Sequence, residues 1–168
     1  VEVCRREGVL LTPALYPRFH PAAVRARELL ADGHIGELEA VRGVNRGQRP
    51  TGTPDLAADA GGGAIVELGP ELIDLACWLL EDEVESVFAE TGSLLPGLAV
   101  EHTALLTLDF TSTAFAVLDT SWSRPGSYPK WGDLWLELVG TEGTLRLDLA
   151  AQNLLVVSDD ELGHARLS

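Results

Sequence analysis

The chain has no methionine, a single lysine and only two cysteines among its 168 residues. Each scarcity excludes something. Two cysteines, Cys4 and Cys77, are too few for a disulfide framework and read as thiols of a reducing cytoplasm. No uncharged apolar run approaches the ~18 residues that a membrane-spanning helix needs. No signal peptide is visible either. Basic residues number 12 against 26 acidic ones, for a formal charge of −14. That surplus disfavours nucleic acid and anionic membrane surfaces as partners. It leaves small-molecule work, and the expected location is cytoplasmic. With valine at position 1 and no methionine, the chain reads as a segment of a longer one. Its length and its apolar fraction of 46% are those of one domain, residues 1–168, with a substantial core.

What is present divides into helical patterns followed by strand patterns. Val1 to Glu7 reads as the end of a helix, closed by Gly8. Val9 to Tyr16 reads as an apolar strand with Pro13 inside it, which demotes it to an edge or a crossover. His20 precedes Pro21 and suits a helix cap. From Pro21 to Asp32 the spacing predicts a helix with Val24, Leu29 and Leu30 toward a core, ended by Gly33. Leu38 to Val44 reads as a strand, and Arg46 to Asp59, rich in Gly, Pro, Thr and Asp, as a loop. A helix is expected from about Gly63 to Leu80, either kinked at Pro70 or regular only from Gly69. Period-2 alternation then marks Val84–Glu90, His102–Phe110 and Thr113–Trp122, the last two a hairpin. Leu134–Val139 and Thr144–Leu149 form a second hairpin, and Asn153–Val157 a last strand. Helices then strands in blocks give α+β: an open, mainly antiparallel sheet with helices packed on one face.

The stretch of most chemical interest is Gly61-Gly62-Gly63-Ala64-Ile65-Val66-Glu67-Leu68-Gly69-Pro70-Glu71-Leu72-Ile73-Asp74. Glu67, Glu71 and Asp74 stand at i, i+4 and i+7, so helical periodicity puts three carboxylates on one stripe. The stretch resembles the active-site helix of the Gfo/Idh/MocA (glucose–fructose oxidoreductase / inositol dehydrogenase) family. There three glycines and a short apolar run lead into Asp-x-Gly-x-His-x-x-Asp. Glu67 stands at that first Asp, Gly69 at the Gly and Asp74 at the last Asp, while Glu71 replaces the catalytic His. The likeness continues through Tyr16-Pro17-Arg18-Phe19-His20-Pro21, Ile35-Gly36-Glu37-Leu38, Val100-Glu101-His102-Thr103-Ala104, Leu118-Asp119-Thr120-Ser121-Trp122 and Gly140-Thr141-Glu142-Gly143. It covers about residues 8–150, in the family's order. It implies an α+β C-terminal half that binds a sugar or polyol and assembles homo-oligomers through its sheet. The parent reaction is hydride transfer to NAD or NADP. No Gly-x-Gly-x-x-Gly unit stands in these residues, so the nucleotide is expected only with a Rossmann domain, and hydride transfer is not expected from this chain alone. The family's catalytic lysine belongs to that other half, and its role does not pass to Lys130.

The carried-over site is therefore Glu71 and Glu67 as catalytic positions and Arg18, Asp74 and Tyr16 as substrate-binding positions, with no cofactor or metal ligand assigned. The residues themselves leave alternatives open. Two glutamates one turn apart can serve as acid and base in a cofactor-free lyase or isomerase, hold a hard cation, or form a solvated acidic face at a helix N-terminus. Their repulsion in a cleft should raise the pKa of one. An imidazole with a pKa of about 6.5 is a good base at neutral pH, whereas a glutamate near ~4.3 becomes one only when burial raises it. Arg18 can clamp an anionic substrate or pair with Asp74. His102 suits a cross-strand contact, and Trp122 and Trp135 a core or an interface. A non-catalytic sugar-binding or assembly module is the remaining alternative.

Overall fold

The strand patterns assemble as a single sheet in the computed structural model, which describes residues 1–50, 62–93 and 99–150, together with the backbone of 153–159 and 165–167. The elements are α1 (Glu2–Glu7), a 3-10 helix (Tyr16–Phe19), α2 (Pro21–Ala31), β1 (Leu38–Gln48) and α3 (Ala64–Leu80). Strands β2 (Val84–Gly92), β3 (Thr103–Phe110), β4 (Phe115–Arg124), β5 (Gly132–Gly140), β6 (Gly143–Asp148), β7 (Asn153–Asp159) and β8 (Ala165–Leu167) follow. Their order across the sheet is β2-β3-β4-β1-β5-β6-β7-β8. Every neighbouring pair is antiparallel except β1 and β4. The class is therefore the expected one, an open α+β sheet.

Alternation decides which face is covered. On β3, Ala104, Leu106, Leu108 and Phe110 are buried while Leu105 is exposed. Ala116 and Leu118 of β4, Leu136 and Leu138 of β5, and Leu145 and Leu147 of β6 continue the buried face. Helices α2 and α3 lie across it, through Ala23, Ala26 and Leu29 on one and Leu72, Leu75, Ala76 and Leu79 on the other. Small residues on α2 let its backbone approach the sheet closely.

Three expectations need correction. Residues 9–15 form no strand: Leu10 is 97% exposed, and the segment winds at Tyr16 into the 3-10 helix. The run is apolar enough, but no described strand lies beside it to pair with, and Pro13 offers no donor. Val24 is exposed because the buried stripe of α2 runs Ala22, Ala23, Ala26, Leu29. Strand β1 continues past Val44 to Gln48, with Arg46 opposite Asp133 and Ser121, so the loop begins later; residues 51–59 lie outside the described ones. Helix α3, by contrast, stands where it is expected, at Ala64–Leu80, and of the two alternatives at Pro70 the one that starts only at Gly69 falls away. The bond that Pro70 forgoes is to the Val66 carbonyl, and both residues are exposed, where water can serve instead.

Candidate functional site

Helix α3 enters the sheet face under a cap supplied from elsewhere. The Glu101 carbonyl accepts from Ala64 N at 3.1 Å and its carboxylate Oε1 from Ile65 N at 3.0 Å. Two amides of the turn opened by Gly62 and Gly63 are thus held by Glu101, one by its carboxylate and one by its main-chain carbonyl. From that start the acidic stripe runs down one side of the helix, but the three carboxylates have three different environments.

Glu67 is exposed, and its Oε2 accepts from the Trp122 indole N–H at 2.5 Å. Trp122 is buried with Ala64, Leu68 and Val100, so the bond ties α3 to β4. Asp74, three positions past Glu71, takes a two-pronged pair from Arg18, Nε at 2.6 Å and Nη2 at 2.5 Å. The Arg18 guanidinium lies 5.9 Å from the Trp78 ring centroid, whose other neighbour is Arg27 at 4.6 Å. Arg18 and Asp74 therefore brace the 3-10 helix against α3 and are mutually occupied.

Glu71 is the half-buried member. Asn45, 2% exposed on the helix-facing side of β1, donates from Nδ2 to Glu71 Oε2 at 3.0 Å and to the Leu68 carbonyl at 2.9 Å. The Tyr16 hydroxyl donates to the same carboxylate. Burial pushes the Glu71 carboxyl up from the ordinary glutamate value; the Asn45 and Tyr16 hydrogen bonds oppose this, and the Glu67 charge adds the smallest upward push. The expected rise is present, but desolvation leads it rather than repulsion within the stripe. Tyr16 is raised as well, by burial first and then by the Glu71 charge.

Glu71 opens into a cleft of about 310 Å³ lined also by Tyr16, His20, Asn45, Lys130, Trp131, Gly132, Asp133 and Leu134. The pairing of β1 with β5 makes this cleft. It brings the 125–131 connection, which begins 45 residues after the end of α3, beside the helix. His20 caps α2 as expected, its Nδ1 accepting from Ala22 N at 3.2 Å, which leaves Nε2 to carry the proton. Of the five carried-over residues, the structure brings Glu71 and Tyr16 to this cleft. Glu67, Arg18 and Asp74 do not line it. Among the described residues no cluster of His, Cys, Asp and Glu could hold a metal ion.

The sequence reading missed Asn45 and did not place Lys130 or Trp131. A signal for Asn45 existed: it keeps the parity of Val41 and Gly43, so a polar side chain points under a helix. His102 sits half-buried with its main chain paired across the sheet to Gly92 and Trp122, while its Nδ1 has no partner among the described residues. Trp135 lies on the uncovered sheet face beneath Arg146, 4.5 Å from its ring centroid.

Comparison with known proteins gives a consistent picture. The GFO/IDH/MocA C-terminal domain model matches residues 23–146. The myo-inositol 2-dehydrogenase of Thermotoga maritima is 25% identical over 166 residues, covering 96% of this chain and 48% of that protein. A solved structure of a putative oxidoreductase from Thermotoga maritima superposes with a TM-score of 0.85 at 24% identity, covering 99% of this chain and 51% of that one. GenD2 from gentamicin A biosynthesis, solved in complex with NAD, is 31% identical with a TM-score of 0.77, covering 88% and 42%. The chain spans about half the length of the curated relatives it matches.

Proposed function

Since this chain belongs to the GFO/IDH/MocA C-terminal domain family, we propose that it is the substrate-binding and assembly half of an NAD(P)-dependent oxidoreductase acting on a sugar-like hydroxyl. The observation that carries the reading is the placement of Glu71. The side chain at the family's histidine position is the one carboxylate of the stripe that reaches the cleft, and burial raises its pKa. A base there must take the proton of a substrate hydroxyl. Burial moves a glutamate toward that task, Asn45 fixes one oxygen, and the Tyr16 hydroxyl, which also lines the cleft, hydrogen-bonds the same carboxylate. The acid–base pair of a cofactor-free lyase is less well supported, because Glu67 is committed to Trp122 and stands outside the cleft.

The described residues do not fit a dinucleotide. The glycine-opened start of α3 would be the place for a pyrophosphate, and Glu101 already takes two of its amides, Ile65 N on the carboxylate and Ala64 N on the carbonyl. Any nucleotide is held by another domain. Calorimetric titration of the purified chain with NAD and with NADP is expected to give no binding, and titration with myo-inositol or glucose to give saturable heat. Micromolar dinucleotide binding by this chain would overturn the division of labour. Binding of neither class would leave an assembly module.

Assembly is the second part of the proposal. The uncovered sheet face carries exposed Leu105, Phe115 and Val117 on β3 and β4, beside Phe88 of β2, a contiguous apolar patch suited to a second copy. The chain is expected to sediment as a dimer at tens of micromolar, and Leu105→Glu as a monomer. A strictly monomeric wild type would dismiss this role for the face.

A further inference from the structure

Two further residues line the cleft, and proton transfer does not explain them. Trp131 is a large aromatic side chain left 56% exposed. Its ring lies over Gly47 of β1: a Cβ at position 47 would stand 2.7 Å from the nearest ring carbon and 3.0 Å from two more. The ring is also anchored through its backbone, since Trp131 O accepts from Gln48 N at 3.2 Å and Lys130 O from Gln48 Nε2 at 3.0 Å. The platform is thus built by the fold, with one face on glycine and the other open.

Lys130, beside it, is the only lysine in a chain of net charge −14. It lines the same cleft, and its ammonium makes no ion pair among the described residues. Of the two carboxylates that line the cleft with it, one has a cation of its own and the other only neutral donors. Asp133 pairs with Arg124 and accepts from the Tyr128 hydroxyl at 2.8 Å; Glu71 is held by Asn45 and Tyr16. Lys130 is therefore a cation lining the cleft without an ion-pair partner among the described residues, although its charge helps to hold Asp133 low; the Glu71 carboxylate is the other cleft charge without an ion-pair partner.

We propose that Trp131 and Lys130 form a subsite for an anionic sugar. The apolar ring face of a single polyol ring stacks on the indole, the Lys130 ammonium binds a carboxylate or phosphate substituent, and the hydroxyl to be deprotonated lies at Glu71. A volume of about 310 Å³ is at the small end for ligand sites, which suits one ring. Indole faces suit such stacking, and an ammonium provides a point charge with three donors that does not demand bidentate geometry. The inference rests on the reading of the cleft as a sugar site and adds the charge of the sugar.

The test is titration of the purified chain at low salt with glucose, glucuronate and glucose 6-phosphate, followed by calorimetry and Trp fluorescence. At least one of the two anions should bind about fivefold or more tightly than glucose. The tighter of the two identifies carboxylate or phosphate. Lys130→Met should abolish the preference, Lys130→Arg should keep it, and Trp131→Ala should weaken all three ligands. Equal affinity for glucose and both anions, or a preference that survives Lys130→Met, would overturn the subsite while leaving the sugar site standing. Failure of all three ligands to bind the wild type would overturn the sugar site itself.

Discussion

Replacing Gly132 by alanine is expected to lower the stability of the chain by about 2 kcal/mol or more. Gly132 is the first residue of β5 and pairs with Gly47 of β1. A methyl group there would overlap the carbonyl oxygen of Arg46 and come within 3.0 Å of Gly47 Cα. Those atoms are backbone in a paired strand, so no side chain can rotate away to make room. The strands must separate at this end, and the Gln48–Trp131 bond that anchors the cleft loop is the first to go. Gly126, six residues earlier in the same connection, gives the control: a methyl group added there would meet no atom within 4 Å. Gly126→Ala should change stability by no more than about 0.5 kcal/mol. Urea unfolding of the three proteins makes the comparison. Equal midpoints for Gly132→Ala and wild type would show that the β1–β5 junction yields, and that the glycine is not what seats Trp131.

That junction also shows why the cleft was only partly legible in the sequence. Glu71 and Tyr16 could be named because a local spacing and a family likeness mark them. The sheet could be drawn because alternation in 103–110 and 115–122 reports its faces directly, and Leu105 facing outward follows from parity alone. Lys130 and Trp131 carry no such mark. They join the site through the pairing of β1 with β5, and that pairing brings together residues about ninety positions apart. Asn45 was hidden by a strand boundary placed four residues too early: with β1 ending at Val44 instead of Gln48, its parity has no meaning. Val9–Leu11 failed in the opposite way. Composition and alternation describe what a strand is made of, yet a strand exists only beside another, and none of the described strands is within reach. The acidic stripe failed in a third way. Periodicity correctly puts the three carboxylates on one side of α3, but partners from three separate elements, β4, β1 and the 3-10 helix, give them different tasks.

Those partners make Glu71→Gln the sharpest test of the site. In an oxidoreductase assembled with its nucleotide-binding half, the substitution is expected to cut turnover by about 10²–10⁴-fold, the range for loss of a positioned general base. The same substitution should not harm the fold. Because burial holds the folded pKa of Glu71 above its unfolded value, ionised Glu71 opposes folding. Below the unfolded value the group is neutral in both states and there is no penalty. As pH rises from there, the unfolded state ionises first; the penalty grows until the raised folded pKa is passed and is constant above it. Acidification from pH 7 toward 5 should therefore stabilise the wild type relative to Glu71→Gln, which is neutral throughout. At pH 7 the variant should be at least as stable, since a glutamine carbonyl can still accept from Asn45 or Tyr16. Other carboxylates shift the opposite way, Asp133 held low by Tyr128 and Arg124 among them, but they are common to both proteins and cancel in the difference. Tyr16→Phe removes one of the two donors that favour the charged form, so it should raise the Glu71 pKa further and move the basic demand of the turnover profile to higher pH. Thermal unfolding of wild type, Glu71→Gln and Tyr16→Phe at pH 5 and 7 measures the first effect, and a pH–rate profile the second. If Glu71→Gln is clearly less stable at pH 7 and the wild type gains nothing on acidification, then hydrogen bonding outweighs burial at this carboxyl. Glu71 would then be held ionised as a structural anion, with its pKa lowered rather than raised, and too weak a base to take a hydroxyl proton.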